Sequence, residues 1–113
     1  MSQIIDNPSG IQLEEILEEG YGSFPNSLYL INVGGDRYAA NNATLPDGQN
    51  VDGLATFPDP DEATTYMSLL AGLSGKIVGK SFEKAREIAK SKPKLSAVFL
   101  FVGGKIVEVH YVR

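Results

Sequence analysis

Leu95 to Val102 (LSAVFLFV) is an almost continuous apolar run, and it constrains the fold more than any other stretch of the chain. It is far too short to cross a bilayer, and its lack of polar alternation marks a strand buried on both faces. Such a strand sits in the middle of a sheet and needs cover on each side. Gly103-Gly104 then turns the chain, and Ile106 to Val112 returns antiparallel, with Val107, Val109 and Tyr111 on one face and Glu108 and His110 on the other. The chain is therefore expected to end in a β-hairpin.

The remaining elements follow from local punctuation. Ser9 and Gln12 have capping-box spacing and Gly20 supplies a stop, which predicts a helix at 10–19 with Ile11, Leu13, Ile16 and Leu17 as its apolar stripe. Glu14, Glu15, Glu18 and Glu19 give that helix an acidic side, read as solvated or as a docking face for a basic partner. Ser27 to Val33, then Gly34-Gly35, then Asp36 to Ala39 predict a hairpin. Residues 41–52 (NNATLPDGQNVD) show neither period and read as a long exposed loop, a surface excursion or a lid. A short strand at 54–57 follows. Asp59-Pro60-Asp61-Glu62 combines an N-cap, a proline at the first helical position and capping-box spacing, predicting a helix at 60–72 whose stripe is Ala63, Tyr66, Met67, Leu70 and Leu73. A turn and short strand at 75–80 lead to a helix at 82–91, capped by Ser81 and ended by Pro93. If the strands at 54–57 and 76–79 are parallel neighbours, the helix between them makes a βαβ unit.

These elements predict an α+β fold: a mixed, mainly antiparallel sheet of about five or six strands with two or three helices packed on it, as a single domain over residues 1–113. Hydrophobic residues at 42% and charged residues at 21% suit a chain that buries its own core. The absence of cysteine excludes disulfides, thiolate metal sites and thiol nucleophiles. No signal-peptide pattern and no membrane span are read, so the expected location is cytoplasmic.

The net charge of −4 conceals a segregation. Residues 1–62 hold eleven carboxylates against Arg37 alone, a balance of −10, whereas residues 63–113 hold three carboxylates against nine bases, a balance of +6. Lys84, Arg86 and Lys90 on the basic helix, and Glu14, Glu15 and Glu18 on the acidic one, are the candidate partner-binding residues. A partner of opposite charge, or a second copy meeting head to tail, would use them. Nucleic acid is the weaker partner: Glu83 and Glu87 interrupt the bases, no exposed aromatic residues are interleaved for stacking, and the pI is about 4.9.

Gly79-Lys80-Ser81 at a helix start matches the end of a phosphate-binding loop, but Ser74 stands where the opening glycine belongs and no downstream Asp lies in a hydrophobic strand to hold Mg²⁺. What remains is a candidate anion site for a phosphate or carboxylate at Lys76, Gly79, Lys80 and Ser81, weighed against an ordinary serine cap. A single histidine, His110 beside Glu108, gives no zinc set, and no serine sits in a nucleophile elbow, so no catalytic residue, metal or cofactor is assigned. A non-enzymatic regulatory or interaction domain is the expected function.

Ala55 to Tyr66 (ATFPDPDEATTY), a strand, an acidic cap and a tyrosine-containing helix, resembles a small domain family of cyanobacteria and plastids, and it also looks like the N-terminal domain of SseB-type proteins. Pro93, the apolar strand and the Gly-Gly hairpin are similar to the second half of a thioredoxin-like fold, without its Cys-x-x-C. None of these resemblances implies an active site that matches residues of this chain.

Overall fold

The apolar run forms the strand β6 (Ala97–Val102) in the computed structural model, which describes residues 24–70, 72 and 74–113. Its first five residues are each no more than 4% exposed. β6 lies between β4 (Asn50–Thr56), which runs parallel to it, and β7 (Lys105–Tyr111), which runs antiparallel, and β3 (Ala40–Thr44) completes a sheet in the order β3-β4-β6-β7. A second sheet, antiparallel throughout, has β1 (Ser27–Gly34) between β2 (Arg37–Tyr38) and β5 (Lys76–Ser81). The helices α1 (Pro60–Leu69) and α2 (Phe82–Lys90) pack against these sheets. The α+β class and the C-terminal hairpin are as expected from the sequence. The predicted acidic helix at 10–19, with Glu14, Glu15 and Glu18, lies outside the described residues.

Alternation along the strands sorts the apolar side chains into two cores. Val98 and Leu100 of β6 join Leu28, Leu30, Leu54 and the α2 residues Ala85 and Ala89, while Ala97, Phe99 and Phe101 join Ile31, Phe57 and the α1 residues Ala63 and Tyr66. Each fully buried Leu or Phe contributes roughly 1.5–3 kcal/mol. Two glycine and threonine details make the parallel pair fit. A Cβ on Gly53 would meet the Phe99 ring at 2.7 Å, so only glycine lets that ring lie over β4. Thr56, fully buried, donates its hydroxyl to the Phe99 carbonyl at 2.8 Å and so leaves no orphan donor.

The expected single sheet is two sheets meeting at a corner. Tyr29 and Phe57 exchange amide bonds of 2.8 and 2.9 Å, and Ala39 donates to Ile31 while accepting from Ala55, so the chain crosses from one sheet to the other at this small, buried residue. β5 consequently pairs with β1, and the β4–α1–β5 segment is not a βαβ unit. The parallel neighbours are β4 and β6, with α1, β5 and α2 in the crossover.

Residues 41–52 are not a long loop. They contribute to β3 and the start of β4, joined by a tight turn in which Leu45 and Gln49 bond at 2.8 Å. Their polar character misleads because β3 is an edge strand whose side chains pair across the ladder: Asn42 donates to Asp52 at 2.8 Å and Thr44 to Asn50 at 2.8 Å. No lid is left there. The hairpin β6–β7 carries a bulge, since Leu100 opposes Glu108 but Phe101 opposes Ile106. Val107 is the extra residue, so Ile106 rather than Val107 reaches the core with Val109, and Val107 is 38% exposed. Helix α1 ends at Leu69, short of 72, because Leu70 is extended and Gly72 follows with φ of 86°. Asp59 caps it, accepting from the Glu62 amide at 2.9 Å, but the Glu62 carboxylate reaches the Gly103 amide instead of closing the box.

Candidate functional site

The structure disperses the predicted anion site. Lys76 and Lys80 stand at opposite ends of β5, about 13 Å apart along an extended strand. Two amides at the start of α2 are already engaged: Phe82 donates to the Asn26 carbonyl at 3.0 Å and Lys84 to the Ser81 hydroxyl at 3.0 Å. Ser81 is a helix cap, and Gly79 lies within the β1–β5 ladder opposite Tyr29.

The basic face of α2 is also less basic than its composition. Lys84 pairs with Glu87 at 3.4 Å, and Arg86 pairs with Glu83 at 2.7 Å. Arg86 further donates from Nε to Nε2 of His110 at 3.0 Å, so it is a half-buried clamp between helix and hairpin rather than a free surface cation. His110 is not on an open face: the rings of Phe24 and Phe82 lie edge-on to it at 6.4 and 5.3 Å, and Glu108 on the same strand is only 1% exposed. Burial, and next the Arg86 guanidinium, lower the His110 pKa below 6.5, with Glu83 opposing. The neutral ring is the form that accepts from Arg86.

Three further cations, Arg37, Lys92 and Lys94, come together beyond the C-terminus of α2. A groove of about 540 Å³ opens between the β1–β2 turn and the segment that follows α2. Val33, Tyr38, Ala40, Leu54, Pro93 and Leu95 make an apolar floor, and Arg37, Lys92 and Lys94 stand around it. Its size is that of a ligand or side-chain pocket. Among the described residues neither Arg37 nor Lys94 forms an ion pair, and Lys92 is held at one end by the Asp36 carbonyl at 2.6 Å and its carboxylate at 3.5 Å.

The groove wall is fixed in place by the backbone around it. Lys92 accepts from the Leu95 amide at 2.9 Å, closing a turn. Arg113 reaches over the same turn: its Nε donates to the Leu95 carbonyl at 2.6 Å, and its Nη2 lies 2.8 to 3.1 Å from the carbonyls of Lys92, Lys90 and Ala89. One guanidinium thus adds a donor to the Ala89 and Lys90 carbonyls at the end of α2 and to two carbonyls of the following turn, and places a positive charge at the negative end of the helix dipole. These bonds hold the turn that carries Lys92, Pro93, Lys94 and Leu95 along one wall of the groove.

Of the predicted partner-binding residues that the structure describes, Lys84, Arg86 and Lys90, none lines this groove, and Lys90 stands on the exposed last turn of α2, two residues before Lys92. Arg37, Lys92, Lys94 and the apolar floor were missing from the predicted set. Lys92 and Lys94 were visible as part of the basic run, but nothing in the sequence joins them to Arg37 across more than fifty positions. Another cavity, of about 330 Å³, is lined by Asn41, Tyr66 and Lys105 among others, and there Asn41 donates to the Tyr66 hydroxyl at 2.6 Å. No described helix is long and apolar enough to cross a membrane. Comparison of the chain with family models, with curated proteins and with solved structures gives no match.

Proposed function

We propose that this chain is a non-enzymatic protein-interaction domain whose groove receives an acidic, amphipathic peptide segment. The observation that carries the reading is the placement of Arg37, Lys92 and Lys94 around an apolar floor. A floor of Val33, Pro93 and Leu95 rewards buried leucine or isoleucine side chains, and a cationic rim rewards carboxylates beside them, so one turn of an acidic amphipathic helix satisfies both. A free phosphate would leave the apolar floor uncovered. A nucleic-acid strand would find one aromatic ring there, Tyr38, and no series on which successive bases could stack.

The test is a titration of a fluorescent peptide rich in Leu and Glu, read by anisotropy. Arg37 and Lys94, which form no ion pair among the described residues, are each worth up to about 1 kcal/mol in a partly exposed pair, and Lys92, already engaged by Asp36, adds little, so Arg37→Gln/Lys92→Gln/Lys94→Gln weakens binding by about tenfold. The paired residues serve as the control: Lys84→Gln leaves affinity within about twofold, since Glu87 already engages that ammonium. Equal binding by wild type and the triple variant contradicts the reading.

A further inference from the structure

We propose that the cavity between β3, α1 and the β6–β7 turn is a second binding site, independent of the groove, for a small α-hydroxy carboxylic acid with an apolar body. Its position follows from the edge strand. Asn41 and Ala43 share the face of β3 that meets α1, while Asn42 and Thr44 turn the other way and bond to Asp52 and Asn50. The rest of the wall comes from Tyr66 of α1, Phe101 near the end of β6, and Lys105 and Ile106 at the start of β7, around a space of about 330 Å³. That volume lies at the small end of ligand pockets.

The polar groups of the cavity define the ligand. Tyr66 is 7% exposed and its ring is held by Phe57 and Phe101 at 5.0 and 4.9 Å, so its hydroxyl has a fixed place on the wall. That hydroxyl accepts from Asn41 Nδ2 at 2.6 Å, which leaves its own hydrogen and the Asn41 Oδ1 without a partner among the described residues. Turning the amide over reverses the bond and again leaves a donor and an acceptor, because one bond cannot exhaust a hydroxyl and a carboxamide. Water can meet both needs, but it leaves the half-buried Ala43 and Ile106 wet. Lys105 adds a charge: it is exposed, it forms no ion pair among the described residues, and none of the described residues lining the cavity is Asp or Glu. The ligand is therefore an anion rather than a zwitterion. Its carboxylate accepts from Lys105 and from the Tyr66 hydroxyl, a hydroxyl on the neighbouring carbon donates to Asn41, and a branched alkyl chain covers Ala43, Phe101 and Ile106. An amino acid would bring its ammonium beside Lys105 with only a neutral amide to receive it.

The experiment titrates isotope-labelled full-length protein with α-hydroxyisocaproate and follows the Asn41 side-chain amide and the backbone amides of residues 104–106. Saturable shifts at these positions are expected. Lys105→Gln weakens binding about fivefold, as the loss of one partly exposed ion pair, and Tyr66→Phe, which keeps the ring, weakens it about tenfold through the lost bond to a carboxylate. Isocaproate, which lacks the hydroxyl, binds about fivefold more weakly because the cavity's acceptor is left unpaired, and neutral α-hydroxyisocaproamide and L-leucine each bind about tenfold more weakly. The Arg37→Gln/Lys92→Gln/Lys94→Gln variant binds the acid as wild type does, which separates this site from the groove. No saturable shift leaves water as the occupant and overturns the site, as do shifts centred elsewhere or binding indifferent to Lys105→Gln. Isocaproate, the amide or L-leucine binding as tightly as the hydroxy acid overturns the assigned ligand. Should Tyr66→Phe fail to fold, Lys105→Gln changes only an exposed side chain and keeps the test decisive.

Discussion

Replacing Arg113 separates hydrogen bonding from charge at the end of α2. Its guanidinium lies within bonding distance of the carbonyls of Leu95, Lys92, Lys90 and Ala89, at 2.6 to 3.1 Å. Nη2 has two hydrogens for three of these carbonyls, so at least one bond is shared and the set counts as about three. The side chain is exposed, so each bond belongs near the low end of the 0.5–1.5 kcal/mol range, and Arg113→Met is expected to cost about 1–2 kcal/mol. Arg113→Lys keeps a positive charge by the helix terminus and recovers only the dipole share, about 0.3–1 kcal/mol, because one ammonium cannot span four carbonyls. Urea unfolding separates the three proteins. With a slope of about 2 kcal/mol/M, the Met variant unfolds at roughly 0.5–1 M less urea than wild type, with Lys in between. The Lys advantage over Met shrinks with added salt, while the Arg advantage over Lys persists. Equal midpoints for Arg and Lys, or for Arg and Met, would refute the assignment. The same turn carries Lys92 and Lys94, so the Met variant is also expected to bind the acidic peptide more weakly.

Gly53→Ala is expected to cost about 1–3 kcal/mol by thermal or urea unfolding, since its Cβ would fall 2.7 Å from three carbons of the buried Phe99 ring. Adding Phe99→Leu removes the colliding ring, so the double variant should lose less than the sum of the single losses, and strict additivity contradicts the packing described. The lowered His110 pKa means that the folded protein holds this proton less tightly than the unfolded chain does. Its contribution is therefore present in full above the unfolded value of 6.5 and is lost as pH falls through the folded value. Wild type should lose stability relative to His110→Gln on acidification through that window, by less than about 1 kcal/mol because the ring is only half-buried. A constant difference between the two proteins across pH contradicts it.

The elements legible in the sequence are those whose own residues determine them. The apolar run at 97–102, the glycine pair at 103–104 and the caps Asp59 and Ser81 each act locally, and each is found where expected. The strand β3 was hidden because Asn41, Asn42 and Thr44 are satisfied by cross-strand and Tyr66 partners that only the fold supplies. The bulge at Val107 leaves no mark on an alternating pattern, so the buried position of Ile106 could not be read. The groove was illegible for a third reason. Its cations belong to two segments joined by the Lys92–Asp36 contact, while two of the seven bases in the run counted as basic, Lys84 and Arg86, are paired with Glu87 and Glu83.

The central claim is that the groove beside α2 receives acidic amphipathic segments, and amide chemical-shift mapping of labelled protein with an unlabelled acidic peptide tests it most directly. The account predicts saturable shifts clustered at Val33, Arg37, Tyr38, Leu54, Lys94 and Leu95, weakening as salt rises. Shifts centred on Gly79–Ser81 or on the Glu83–Glu87 face of α2, or none at all, would contradict it.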